Sequence, residues 1–262
     1  MEDIIVRRLR AAGCVFAEDE ARLLDAEATD AEQLEAMVSR RVSGEPLEVV
    51  LGWAEFCGLR IAMDPGVFVP RRRTEFLARR ALALTHPGAV VVELCCGAGA
   101  ISAVLLAGTS RLEVHAADID PAAVRCARRN LGGPGVTVYQ GDLFQPLPDR
   151  LRGRVDLVVA NAPYVPTAEL DLLPREARQY EPQTALEGGV DGLEILRRVL
   201  TESPHWLAPG GHALVEASEQ QVASLEASIA GYGLTPRTFV EPEMEATVVT
   251  GAMPAGPGEG AA

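Results

Sequence analysis

"AVVVELCCGAGAISAVLLAG", Ala89 to Gly108, decides how this chain folds. An unbroken apolar run, Ala89 to Val92, reaches an acid, Glu93. A glycine-bearing turn follows, and Ala100 to Gly108 is apolar again over a helical length. A strand that is apolar at every position, not at alternate ones, is covered on both faces, which is the habit of parallel sheets.

The same alternation continues outward. "LEVHAADI" reads as a strand and "DPAAVRCARRNL" as a helix; "GVTVYQGD" and "VDLVVA" are further strands. "DGLEILRRVLTESPHWL" is helical, "GGHALVEAS" a strand and "EQQVASLEASIA" a helix, and "LTPRTFV" and "ATVVTGA" are closing strands. Continuous strands alternating with helices predict an α/β fold, a doubly wound sheet covered on both faces. Upstream, "PRRRTEFLARRALAL" has helical spacing through Phe76, Leu77, Ala81 and Leu84. Before it, "SGEPLEVVLGWAEFCGLRIAM" suggests a β-hairpin connector over 46–70, with β-like runs at Val49–Leu51 and Leu59–Ile61. Residues 1–45 read as a small helical domain: Leu34, Met37, Val38 and Val42 form one stripe, and Asp30 with Gln33 suggests a capping box. So short a unit buries little surface alone and needs support from the rest of the chain. The tail from residue 252, "PAGPGEGAA" above all, has the composition of a disordered segment.

Composition narrows the function. The chain has 262 residues, 48% of them hydrophobic, and a net charge of −13. That charge argues against a nucleic-acid surface, whose affinity rests on basic groups, despite local clusters at Arg71–Arg73, Arg79–Arg80 and Arg128–Arg129. No run approaches the ~18 apolar residues of a membrane span, and "MEDIIVRRLR" lacks the core of a signal peptide, so the expected compartment is the cytoplasm. The five cysteines and four histidines show no metal-type spacing, and no metal is expected.

In open α/β sheets ligands gather at the C-terminal ends of the strands. Three acids stand at or just past such ends: Glu93, Asp118 and Asp142. The turn after Glu93, "CCGAGA", lacks the G-x-G-x-x-G spacing of a dinucleotide site, and an acid opening it opposes a phosphate. Asp118 suits a ribose diol and Asp142 an exocyclic amine. A nucleoside without phosphates but with an amino-acid tail fits the set, which points to S-adenosylmethionine as cofactor.

The strand "VDLVVA" delivers Asn161-Ala162-Pro163-Tyr164 to the same rim. A planar amide or aromatic amine is a poor nucleophile because its lone pair is delocalised. A site can help by accepting both of its N–H bonds, one with the Asn161 side-chain oxygen and one with the Ala162 carbonyl, which aligns the nitrogen with the methyl donor. Pro163 holds Ala162 extended, and Tyr164 offers a flat wall.

"NAPY" resembles the N-P-P-Y signature of class I methyltransferases acting on planar nitrogen. "GEPLEVVLGWAEFCGLRI", "FVPRRRTEFL", "ELCCGAGAIS", "ADIDPAAV", "GDLF" and "LPREARQYEPQTALEGGVDGLEILRRV" narrow the resemblance to the HemK-type protein-(glutamine-N5) methyltransferases, in order from about residue 44 to 251. The resemblance implies a Rossmann-like, mostly parallel seven-stranded sheet with its last strand antiparallel, spanning 71–251, and an N-terminal domain that recognises a protein substrate, a release factor or a ribosomal protein. It implies that Asn161 and the Ala162 carbonyl hold the glutamine amide, as catalytic residues, with Pro163 and Tyr164 shaping the pocket. Cys95, Cys96, Gly97, Ala98, Gly99, Asp118 and Leu143 would hold S-adenosylmethionine, supported by Glu93, Asp142 and Asn161, and Arg178 and Glu181 would belong to a segment covering the site. Three departures stand out. Ala162 replaces the usual proline; Cys95 replaces a usual glycine, which a negative φ would tolerate; and the N-terminal unit is shorter than in release-factor enzymes. A nucleic-acid base N-methyltransferase, a small-molecule methyltransferase and a non-catalytic cofactor-binding protein are the competing readings.

Overall fold

A computed structural model describes residues 2–256. Helices α1 (Glu2–Ala11), α2 (Ala17–Glu27), α3 (Ala31–Val42) and α4 (Leu47–Leu51) come first, then strands β1 (Trp53–Phe56) and β2 (Leu59–Ala62) and helix α5 (Thr74–Leu82). The alternating part comprises β3 (Val90–Leu94), α6 (Ala100–Gly108), β4 (Glu113–Asp118), α7 (Pro121–Asn130), β5 (Val136–Gln140) and β6 (Val155–Ala160). It continues with α8 (Arg175–Tyr180), α9 (Glu194–Trp206), β7 (Leu207–Ala217), α10 (Val222–Gly231), β8 (Thr235–Glu241) and β9 (Ala246–Ala252).

The apolar run that opens the alternation is buried at every position of β3. Val91 packs with Leu77 and Ala81 of α5 and Ile101 and Leu105 of α6, while Val90, Val92 and Leu94 pack with Leu196 and Leu200 of α9 on the opposite face. At roughly 1.5–3 kcal/mol for each large apolar side chain removed from water, both faces contribute to holding the sheet. The sheet has seven strands in the order β5-β4-β3-β6-β7-β9-β8. Strands β3 to β7 pair in parallel, and β9 runs antiparallel to both β7 and β8, as the resemblance implies. Strand order reverses at β3, with β4 on one side and β6 on the other, which opens a crevice at the C-terminal ends.

Helices α1 to α4 enclose their own small core, including Leu9, Leu24, Leu34 and Val38. Asp30 caps α3 through its bond to the Gln33 N–H at 2.8 Å, but Gln33 reaches the Thr29 N–H, one residue short of a reciprocal box. The unit leans on the rest of the chain as expected. Arg41 bonds Glu20 at 2.7 Å and Glu176 of α8 at 3.1 Å, and the Tyr180 hydroxyl donates to the Ser43 carbonyl at 3.1 Å.

Two expectations need correcting. Val49–Leu51 is not a strand: the Val49 and Val50 N–H groups close onto the Pro46 carbonyl, and Gly52, at φ 80°, ends the turn as helix α4. Three apolar residues satisfy either period, so the turn chemistry decides. The hairpin pairs 53–56 with 59–62. Residues 252–254, assigned to the tail, stay on the sheet, with the Met253 N–H donating to Gly211 at 2.8 Å and Gly210 to Pro254 at 3.3 Å. Residues 257–262 lie outside the described residues.

Candidate active site

The ends of β3, β4 and β6, with the turn after β5, enclose a cavity of about 620 Å³. Its wall includes Glu93, Cys95 to Ala98, Asp118, Asp142, Leu143 and Asn161, so residues far apart in sequence converge on one space. Local chemistry fixes the turn after β3. Asp118 accepts from the Gly97 N–H at 2.8 Å through one carboxylate oxygen and from the Asp120 N–H at 2.9 Å through the other. Burial pushes the Asp118 carboxyl upward, against the lowering effect of those backbone bonds. Gly97 has φ 54°, and a Cβ added there would meet nothing within 4 Å, so its missing side chain leaves room on the cavity wall.

Two residues behave differently from expectation, Cys95 and Gly99. Cys95 does not have the negative φ that would make it an easy substitute for glycine: it lies at φ 53°, in the left-handed region that disfavours a Cβ. Leu143, also on the cavity wall, lies at φ 48°. Such strain collects where a fold must aim backbone at a ligand. Gly99 is absent from the cavity wall. At φ 76° it begins α6, and a Cβ there would stand 2.6 Å from Leu131 Cδ1, so this glycine serves helix packing.

Glu93 is 2% exposed. Its carboxyl takes the Ser102 N–H at 2.9 Å and the Ser102 hydroxyl, occupying orphan donors in the first turn of α6. Burial outweighs these bonds and pushes it up to about 7. Asp142 is held by Arg198 of α9 at 2.6 Å through one oxygen. The donor set suits S-adenosylmethionine: acids dominate, the single arginine on this wall already has a counter-ion, and Gly97 leaves open space beside Asp118. A phosphate would meet a wall of carboxyl groups, Glu93, Asp118, Asp120, Asp142, Glu187 and Glu194, and no unpaired cation.

A second cavity of about 500 Å³ adjoins the first, and Phe68, Asn161, Pro163 and Ala185 line both. Asn161 donates its Nδ2 proton to Thr74 Oγ1 at 3.2 Å. No donor among the described residues bonds its Oδ1 or the Ala162 carbonyl. Ala162 is buried on the second cavity's wall, and Tyr164 completes that wall. The Tyr164 hydroxyl donates to Glu216 of β7 at 2.9 Å, and Arg73 donates to the same oxygen at 3.2 Å. Burial, then the Glu216 charge, raises the Tyr164 phenol far above its ordinary value. Every ionised group on this wall has a counter-ion within the fold: Arg71 with Glu181, Arg73 with Glu216, Glu176 with Arg41.

Residues 167–189 cover both cavities. Leu173, Pro174, Glu176 and Ala177 face the second and Pro182 to Ala185 the first. Glu181 anchors the cover, 7% exposed, bonding Arg71 at 2.6 Å and the Val69 N–H at 3.3 Å. Arg178 is exposed, bonds the Leu173 carbonyl and lines neither cavity. Sequence reasoning missed Thr74, Arg198 and Glu216. Glu216 carries a signal that was available, an acid near the end of the parallel strand "HALVEA", the rule that found Glu93. Thr74 and Arg198 carry none, because each acts through a partner 87 or 56 residues away.

Comparison with known proteins meets this geometry. A model of the methyltransferase small domain matches residues 58–174. The chain is 41% identical to a release factor glutamine methyltransferase of Geobacter sulfurreducens, over 69% of this chain and 63% of that protein. It is 40% identical to one of Mycolicibacterium smegmatis, over 76% and 72%. It is also 39% identical to a 4-amino-L-phenylalanine/4-methylamino-L-phenylalanine methyltransferase of Streptomyces pristinaespiralis, over 72% and 67%. The match therefore spans about two thirds of the relatives' length. In fold, the chain resembles a methyltransferase of Pyrococcus furiosus at TM-score 0.57 and 16% identity, over 76% of this chain and 90% of that one.

Proposed function

The chain belongs to the release factor glutamine methyltransferase family, and on that premise we propose that it methylates the side-chain amide nitrogen of a glutamine in a protein, with a peptide-chain release factor as the first candidate substrate and a ribosomal protein as the second. S-adenosylmethionine is the cofactor, and when bound it supplies an electrophilic methyl group. Asp118, the turn Cys95–Ala98, Asp142 and Leu143 would hold it in the first cavity. Asn161 and Ala162 then act on the substrate. Asn161 lines both cavities and Ala162, its chain neighbour, lines the second; their two unengaged acceptors match the two N–H bonds of a primary amide, and this pairing carries the proposal. Accepting both bonds fixes the nitrogen and stabilises the positive charge that grows on it. Phe68, Pro163 and Tyr164 offer flat apolar walls to the planar group. The covering segment and helices α1 to α4 are assigned to recognition of the protein around that glutamine. The working compartment in this reading is the cytoplasm; no helix among the described residues is long and apolar enough to cross a membrane.

The paired charges of the second cavity favour an amide over the other planar nitrogens. A free amino acid brings an ammonium and a carboxylate, and the wall has no unpaired counter-ion for either. A nucleic acid brings phosphates to a chain of net charge −13. The test is methyl transfer from S-adenosylmethionine to release factor and ribosomal proteins of the same organism, with the modified residue mapped by mass spectrometry. One methyl group on a glutamine side chain is expected. Transfer only to free amino acids or to nucleic acid would overturn the reading.

A further inference from the structure

An asparagine amide is nearly symmetric in shape, and half a turn about its last bond exchanges an acceptor for a donor. Facing a substrate N–H, only the orientation that presents Oδ1 forms a bond. Thr74 is the side chain that bonds the other end of Asn161, with Oγ1 3.2 Å from Nδ2. Its hydroxyl can donate or accept, so it serves either orientation. With Nδ2 on Thr74, however, Oδ1 is left for the cavity, and a substrate N–H selects that pairing.

Thr74 is well placed to hold this bond steady. It is 3% exposed and opens α5, whose Leu77 and Ala78 are fully buried against the sheet. Its own N–H donates to the Arg71 carbonyl at 3.0 Å. A threonine at a helix start usually serves as a cap, but here Arg73 is the N-cap residue and no side-chain cap bond is made. The hydroxyl is directed to Asn161 instead. We infer that Thr74 is a positioning residue for methyl transfer, anchoring the Asn161 amide so that its oxygen meets the substrate nitrogen. The inference rests on the proposed function for its kinetic consequence but not for the bond itself.

Two measurements test it on the intact protein. Thr74→Val keeps the shape and removes the hydroxyl; Thr74→Ser restores it. With release factor as substrate, Thr74→Val should lower kcat about tenfold, the scale of one hydrogen bond, with S-adenosylhomocysteine affinity within about twofold of the parent. Thr74→Ser should recover most of the loss. Independently of activity, the chain contains only two asparagines, Asn130 and Asn161. Asparagine-selective nitrogen-15 labelling therefore gives two side-chain amide signals. Asn130 donates to the Ala62 and Ala98 carbonyls at 2.9 and 2.8 Å and serves as internal reference. In Thr74→Val the Asn161 amide protons should exchange several-fold faster with Asn130 unchanged. Unchanged Asn161 exchange, normal turnover in Thr74→Val, or no recovery in Thr74→Ser would each overturn the inference. If the parent transfers no methyl group to any protein, the substrate reading falls, and the exchange of Asn161 alone decides for or against the anchor.

Discussion

A side chain at position 95 must adopt φ 53°, which costs an L residue about 1 kcal/mol relative to glycine. Replacing Cys95 by glycine or by alanine removes the thiol in both cases and changes φ freedom in only one. Glycine at 95 should therefore give the more stable protein by about 1 kcal/mol, the reverse of the usual order, as read by urea denaturation. Equal stability would mean that the turn relaxes to a negative φ. Asn161→Ala acts on chemistry instead. It removes one of two preorganised acceptors, and turnover should fall at least ~100-fold while S-adenosylhomocysteine binding, measured by calorimetry, stays roughly unchanged. Near-normal turnover would remove Asn161 from the mechanism. At this scale the sequence was legible wherever a residue's position on its own strand told its role. Glu93, Asp118, Asp142 and Asn161 all follow from strand ends. Thr74, Arg198 and Glu216 act by touching something distant in the chain, over separations of 87, 56 and 52 residues, and no local pattern encodes such contacts. Gly99 was legible as a glycine that matters but not as to why. Its neighbour Leu131 comes from the end of α7, and only packing shows that the close approach is to a side chain and not to a ligand.

Among the elements, the cover formed by residues 167–189 depends most on ties to other parts of the fold. It consists of α8 between two short 3-10 helices, and its middle is held by Glu181 to Arg71 and by Glu176 and Tyr180 to the N-terminal helices. Cutting the Glu176 tie is more informative than removing Arg41, which would leave the buried Glu20 carboxylate without its partner. Glu176→Gln weakens the link to Arg41 and leaves Arg41 with Glu20. Opening of α8 should become more frequent, so trypsin should cut after the exposed Arg178 several-fold faster than in the parent. Equal cutting rates would show that Glu181 and Tyr180 hold the cover alone. Elements with strong periodicity were read well from sequence: the paired strands and the helices between them follow from continuous apolar runs and 3.6-residue stripes. The short apolar run at Val49–Leu51 failed because it is compatible with strand and helix alike, and the outcome turned on Pro46 and Gly52.

For the molecule as a whole, alternation of strands and helices establishes a parallel sheet, but strand order does not follow from spacing. That order brings the ends of β3, β4 and β6 and the turn after β5 around one cavity, with a buried acid in its wall. Glu93 links this architecture to pH. Its carboxyl is pushed from the ordinary 4.5 up to about 7, by burial first, against the two bonds from Ser102 and with the Asp118 charge adding to the rise. Below pH 4.5 the group holds its proton whether the chain is folded or not. Between 4.5 and about 7 the folded chain keeps a proton that the unfolded chain releases, so the stabilisation present at low pH is lost as pH rises through 7. The interval corresponds to about 3 kcal/mol at most. Glu93→Gln keeps an acceptor for Ser102 and removes the titration, so its stability should not share this loss. Urea denaturation of both proteins at pH 5 and pH 8 measures the difference directly. The parent should lose up to about 3 kcal/mol more than the variant between the two values. Parallel behaviour of the two would mean that Glu93 is already ionised at pH 5 in the folded state. In that case the Ser102 bonds offset the cost of burial, and the acid in the cavity wall carries its charge throughout the working range of the protein.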